Sequence, residues 1–268
     1  NPKEQTRWYK LDYKYSSDDK VFYKTSHRKF TSKINHININ DDFMYLLGYW
    51  LGDGWLNKNT RYEKQYGLKY SRWDICVDKK NQPFIDKIKN VLSNLGLDYE
   101  TSYGLKNDKK QSSTLNFYIK DPLFCEWWYD NFGAHCDDKR IPEWVLELPQ
   151  NKLKHLLAGI IDSDGCIYKN IIEISLVNEN LIHQIFDLFI CLKQLPNIGY
   201  QLKKGVTPSG KYYETMMHII TVFNCDEIVA NCLKSSRYDK TQNKNFGNNS
   251  KFMYENDDLY YRIEKIKK

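Results

Sequence analysis

The chain has 268 residues, room for two ordinary domains or one large one. Hydrophobic residues make up 41% and aromatics 15%, so a sizeable core can form, and the formal charge of +6 suits a polyanionic partner without requiring one. No apolar run approaches the ~20 residues of a membrane-spanning helix and no signal-peptide pattern is present, so the expectation is an intracellular protein. Seven cysteines (Cys76, Cys125, Cys136, Cys166, Cys191, Cys225 and Cys232), with no CxxC pair, read as reduced core thiols and not as a disulfide frame or zinc site. A chain that begins at Asn1 is expected of a fragment or a processed product.

Residues 1–40 form a basic, aromatic arm, with nine Lys/Arg against four Asp/Glu, interleaved with Trp8, Tyr9, Tyr13, Tyr15, Phe22, Tyr23 and Phe30. Asp41 is then placed to cap a helix running to about Gly52. Short strands follow near residues 55–57 and 72–78. The second alternates, with Trp73, Ile75 and Val77 on one face and Arg72, Asp74 and Cys76 on the other. Phe84, Ile85, Ile88, Val91, Leu92 and Leu95 stand at helical spacing, with Gly96 as a stop. Strands near 98–105 and 113–120 come next, the latter alternating Leu115, Phe117 and Ile119 inward. Asp121-Pro122 opens a helix that carries Trp127 and Trp128 into the core and closes at Gly133.

A connector, 134–151, holds Pro142 and Pro149. The second half, 152–235, repeats the order of the first, 41–133. A helix ends at Ser163, and strands follow near 166–169 and 171–177. Asn178 caps a helix with Leu181, Ile182, Ile185, Phe186, Phe189 and Leu192. Strands near 198–204 and 212–223 lead to a last helix near 226–233. Each half reads α-β-β-α-β-β-α, an α+β fold built of two similar halves. Residues 236–268 are a polar, Asn/Lys-rich tail.

The repeat is sharpest at two segments, LLGYWLGDG (residues 46–54) and LAGIIDSDG (residues 157–165), whose aspartates Asp53 and Asp164 lie 111 residues apart. Glycine inside a soluble helix costs about 1 kcal/mol relative to alanine, so something must offset it. Gly48 and Gly52, and likewise Gly159 and Ser163, are four residues apart and share a helix face, which lets two such helices press backbone to backbone. The Asp-Gly corners then end side by side. Two carboxylates ~5 Å apart repel by about 3 kcal/mol at an effective dielectric of ~20. A divalent cation removes that repulsion, and hard oxygen ligands suit Mg²⁺ with phosphate and water completing its shell. A calcium loop beginning at Asp162 is excluded, because Cys166 and Ile167 fall where an oxygen ligand and a glycine are required.

These segments resemble the LAGLIDADG homing-endonuclease signature, LAGIIDSDG closely and LLGYWLGDG as a looser copy. KRIPEWVLELP (residues 139–149) is similar to that family's inter-repeat connection, and the likeness covers about residues 41–235. The resemblance implies a monomer whose motif helices form the central interface, with curved antiparallel sheets making a saddle over the DNA major groove. It implies hydrolysis of double-stranded DNA at a long, asymmetric site, with short 3′ overhangs. Mg²⁺ is the expected cofactor, with Mn²⁺ substituting and Ca²⁺ binding without supporting cleavage. Asp53 and Asp164 carry the catalytic role, with Gly52 and Ser163 beside them in the metal site. Leu51 stands where the second copy has Asp162, a structural position. LYYRIEKIKK at the C-terminus resembles the segment that resumes a splicing domain in inteins, although Asn1 is no splicing nucleophile and no terminal His-Asn is present. A non-cleaving DNA-binding regulator and an RNA maturase are alternatives on the same fold.

Lys120 ends a strand on its polar side, near where the resemblance implies a basic residue that stabilises charge at the scissile phosphate. Arg72 and Asp74 are candidates to read base edges, and Glu173 and Ser175 are further candidates for DNA contact. Lys58, Arg61, Lys106, Asn107, Lys109, Lys110, Lys169, Lys203 and Lys204 are candidates for DNA contacts, the lysines to phosphates. The arm suits phosphate contacts along a groove, or is the remnant of a splicing domain.

Overall fold

The computed structural model describes residues 20–22, 26–27, 30–32, 36–105, 111–207, 210–239, 252–255 and 258–261. Within the arm, β1 (Lys20–Phe22) pairs with β4 (His36–Asn38), and β2 (Ser26–His27) with β3 (Phe30–Thr31), all antiparallel. Helix α1 spans Asp41–Asp53. Its cap is Asn40, whose side chain accepts from the Phe43 amide at 3.0 Å, and not Asp41, which lies in the first turn as an acid facing the helix dipole. Strand β5 (Gly54–Lys58) leads into helix α2 (Thr60–Tyr66), which the expected element order lacks. Asn59 caps α2, and Gly67 ends it at φ 73°, left-handed backbone that favours glycine. With only seven residues and one buried side chain, Tyr66, α2 shows no long apolar stripe for a sequence reading to find.

Next come β6 (Tyr70–Asp78), α3 (Gln82–Asn94), β7 (Glu100–Leu105), β8 (Gln111–Ile119) and α4 (Pro122–Phe132), the last capped by Asp121. The connector holds a short helix, α5 (Glu143–Leu146). The second half comprises α6 (Gln150–Ser163), β9 (Gly165–Tyr168), β10 (Ile171–Leu176), α7 (Glu179–Cys191), β11 (Asn197–Val206), β12 (Tyr212–Phe223) and α8 (Asp226–Val229). The expected last helix is split: α8 stops at Val229 and a 3-10 turn occupies Leu233–Arg237. A hairpin of β13 (Phe252–Glu255) and β14 (Asp258–Tyr261) lies in the tail.

The two four-stranded antiparallel sheets are wired alike, β5-β6-β8-β7 and β9-β10-β12-β11. Between them α1 and α6 run side by side in the same direction. The buried core includes Leu46, Leu47 and Trp50 of α1 and Leu156, Leu157, Ile160 and Ile161 of α6. In the first half Trp50, Trp73, Phe124, Trp128 and Phe132 form an aromatic cluster, with Trp50 and Trp73 each edge-on to Trp128 at about 5 Å between centroids. Trp127 is buried beside it. The cysteines are all free, but only Cys125, Cys225 and Cys232 are core residues; Cys136, Cys166 and Cys191 are exposed. Cys191, in an apolar run, is the last residue of α7 and turns outward there. No described helix is long and apolar enough to cross a membrane.

Candidate active site

Close approach of α1 and α6 creates the site. A Cβ on Gly48 would fall 2.0 Å from the Leu156 carbonyl oxygen, and one on Gly159 2.2 Å from the Tyr45 carbonyl oxygen. One on Gly52 would meet the Ser163 hydroxyl at 2.1 Å and the Asp164 carboxyl carbon at 3.2 Å. Gly48 and Gly159 are therefore required by backbone contact, while Gly52 lies against the Ser163 side chain further along the same seam. The parallel helices end level with each other, with Asp53 the last residue of α1 and Asp164 the C-cap of α6.

Each carboxylate feels the crowded helix ends. Asp53 is pushed up to about 6, first by partial desolvation and then by the negative charge of Asp164, while Lys139 and Lys234 oppose the shift. Asp164 is also raised by desolvation, against the same two lysines. These lysines were missed by sequence reading. Lys139, in the connector and 4% exposed, donates from Nζ to the carbonyls of Trp50, Leu51 and Gly52 at 2.9–3.0 Å. Lys234, in the 3-10 turn, donates to the carbonyls of Ile161, Ser163 and Gly165 at 2.6–3.2 Å. Each caps the C-terminal end of one motif helix, where unpaired carbonyls and the helix dipole favour a cation. Burial lowers Lys139 to about 8 while both aspartates hold it up. No basic residue stands in the last turn of either helix, so no local signal marked the caps; the lysines arrive from 86 and 70 residues downstream of the aspartates they face.

Gly52 and Ser163 flank the acids as expected, but their carbonyls are taken by these lysines, and the Ser163 hydroxyl donates to the Gly159 and Ile160 carbonyls. Among the described residues no cluster of three or more His, Cys, Asp or Glu side chains is disposed to hold a metal; Asp53 and Asp164 stand as a pair of carboxylates. Asp162 accepts the amides of Leu233 and Lys234 and the Tyr45 hydroxyl, tying both motif helices to the turn that carries Lys234. Its counterpart Leu51 is buried and apolar.

Lys120 does not join this centre. It lies past the end of β8, on the far side of β6 from β5, and is ion-paired with Glu100 at 2.9 Å. Phe117, level with Gly54 across the sheet, is three residues away from it, or ~10 Å along the strand. Asp74 is wholly buried and bound to Arg72, so its carboxylate is not open to a duplex. Glu173, Ser175 and Lys203 share one face of the second sheet, through the pairings Glu173–Thr221 and Asn197–Thr221. Lys204 must point to the opposite face, where it pairs with Glu214 at 3.1 Å. Lys58, Arg61 and Lys169 are exposed at a strand end, on α2 and after β9. Lys106, Asn107, Lys109 and Lys110, with most of the arm and tail, lie outside the described residues.

Residues 40–121 match a family described as "LAGLIDADG-like domain". Among curated proteins the chain is 27% identical to uncharacterized protein MJ1054 of Methanocaldococcus jannaschii over 80% of its own length and 23% of that protein's. It is 25% identical to that organism's replication factor C small subunit (56% of this chain, 8% of that one) and 28% identical to its ATP-dependent DNA helicase Hel308 (71% and 15%). The chain thus spans less than a quarter of the length of these relatives. Among solved structures it aligns with I-DmoI in complex with DNA and Ca (TM-score 0.48, 13% identity, 75% of this chain and 93% of that one). It also aligns with the homing endonuclease I-WcaI bound to its DNA recognition sequence (TM-score 0.40, 15% identity, 75% and 83%).

Proposed function

We propose that this chain, whose residues 40–121 match the LAGLIDADG-like domain, is a LAGLIDADG-type site-specific endonuclease that cuts both strands of a long, asymmetric DNA target. The observation that carries this reading is the pairing of Asp53 and Asp164 at the ends of two helices held in backbone contact. The donor set fits a hard divalent ion, Mg²⁺ or Mn²⁺: two neighbouring carboxylates whose ionised forms repel and that a cation would stabilise. When bound, such an ion supplies Lewis acidity at phosphorus and an acidified water.

The chain's own residues do the rest. Asp53 is ionised at neutral pH despite its raised value, so the pair can bind the ion. Lys139 and Lys234, each fixed by three carbonyls, set positive potential at the same corner, where charge develops on a phosphate being displaced. They replace Lys120 in that role. The two polar sheet faces lie on either side for the duplex, and unlike halves in one chain make a monomer sufficient for an asymmetric site.

An origin as an element inserted into other proteins, of the intein type, fits the relatives. A replication factor and a helicase, unlike in named activity, both align with this chain over a minor share of their own length. The test of the function is to incubate the chain with a library of DNA sites and Mg²⁺ and map the ends. A double-strand break with short 3′ overhangs at one long site, lost in Asp53→Asn, is expected. DNA bound tightly but left whole by the wild-type chain would make it a non-cleaving binder instead.

A further inference from the structure

Strand β6 carries its polar face outward from the catalytic corner. Cys76, on that face, has its sulfur 3.7 Å from the Asp53 carbonyl oxygen. Asp74 and Arg72 follow on the same face, two and four residues along. Asp74 is 0% exposed. Its Oδ2 accepts Arg72 Nε at 2.9 Å and the Asn57 amide, while its Oδ1 has no partner. A buried carboxylate with one bare oxygen costs stability, so its presence is not explained by folding. It does fix the arginine. The Arg72 guanidinium also lies over the Tyr118 ring, 5.0 Å from the centroid. Tyr118 is held in turn by Glu100, to which both its hydroxyl (2.8 Å) and Lys120 (2.9 Å) donate.

The arginine is thus clamped from below and from the side through Nε and its planar face. No described residue takes either terminal Nη group, and the side chain remains 37% exposed. Two parallel N–H donors on a fixed plane match the O6 and N7 acceptors of guanine; adenine offers one acceptor beside a donor that would oppose them. Arg72 stands on an inner strand, between β5 and β8, and not at the rim of the sheet where phosphates would pass. We propose that Arg72 reads one guanine in the major groove of the first half-site and that Asp74 is its positioning residue. The inference rests on the DNA-cleaving reading of the chain. Arg72 lies four residues from Cys76, ~13 Å along the strand, which puts the guanine about four base pairs of ~3.4 Å from the cleavage centre.

The test is selection of bound sequences from randomised DNA by the full chain, by Arg72→Lys and by Asp74→Asn. The wild type should enrich a site with guanine at one position about four pairs from the centre on one side. Arg72→Lys should erase that preference, a loss of roughly 5- to 150-fold, with all other positions unchanged. Asp74→Asn, close in size and uncharged, should weaken the same position alone while the melting temperature holds. Equal weakening of every sequence by Arg72→Lys would make Arg72 a phosphate contact and overturn the proposal. A site unchanged by Asp74→Asn would overturn the positioning role. An enriched site with no Arg72-dependent guanine would sink this inference and leave the endonuclease standing, whereas no enrichment with any variant would sink the endonuclease reading itself.

Discussion

Substituting Gly48 by alanine is the sharpest test of how the site is built. Alone in a helix, alanine would be favoured over glycine by about 1 kcal/mol. Here the new Cβ falls 2.0 Å from the Leu156 carbonyl oxygen and 3.0 Å from the Ile160 nitrogen, both backbone atoms that cannot rotate away. Ordinary carbon–oxygen contact begins near ~3.3 Å, so the helices must part by about 1.3 Å at that point. Gaps of ~0.5–1 Å already forfeit a quarter to a half of each dispersion contact along the buried seam. Overpacking of this kind costs about 1–3 kcal/mol or more, and the rigid neighbour puts Gly48→Ala at the upper end. Net destabilisation should therefore be about 2 kcal/mol, or a fall of about 4–8 °C in melting temperature for a chain of this size. Gly199→Ala is the control, because nothing lies within 4 Å of its added Cβ. Thermal and urea melts of the two variants decide the matter. A Gly48→Ala protein that melts with the wild type, or no lower than Gly199→Ala, would refute backbone contact between the motif helices.

Four further outcomes are expected. Asp53→Asn and Asp164→Asn should each abolish double-strand cleavage in an end-mapping assay while gel-shift affinity stays within a few-fold of wild type. Lys139→Met should strip three helix carbonyls of their donor and cost about 3 kcal/mol in urea melts. Lys234→Met should cost less, since Lys234 is only half-buried and water can replace it. Asp53 rises from 3.8 to about 6 on folding, so the native state holds the extra proton between those values; metal-free stability should fall as pH rises from about 4 to about 6, and Asp53→Asn should flatten that slope.

The repeat was legible because the chemistry that needs it is local. Small residues four apart and a terminal Asp-Gly fixed α1, α6 and the paired acids by helical geometry alone. Alternation in residues 72–78 and 113–120 places β6 and β8 to within two residues, since one buried face imposes a period of two. Short elements escaped: α2 has a single buried side chain, and α8 gives way to a 3-10 turn that must deliver Lys234 and offer amides to Asp162. Strand phase and the family resemblance point to Lys120, but phase says which face a residue takes and nothing of how far it stands from a distant helix end. Lys139 and Lys234 carry no local pattern, because a helix carbonyl accepts any ammonium that the fold brings to it. Likewise, alternation put Asp74 on the polar face, but only the packing of Asn57, Arg72 and Tyr118 decided that it is buried there. Period and spacing are properties of a segment and can be read from it; capping across 86 residues and burial beneath a neighbour are properties of the assembled chain.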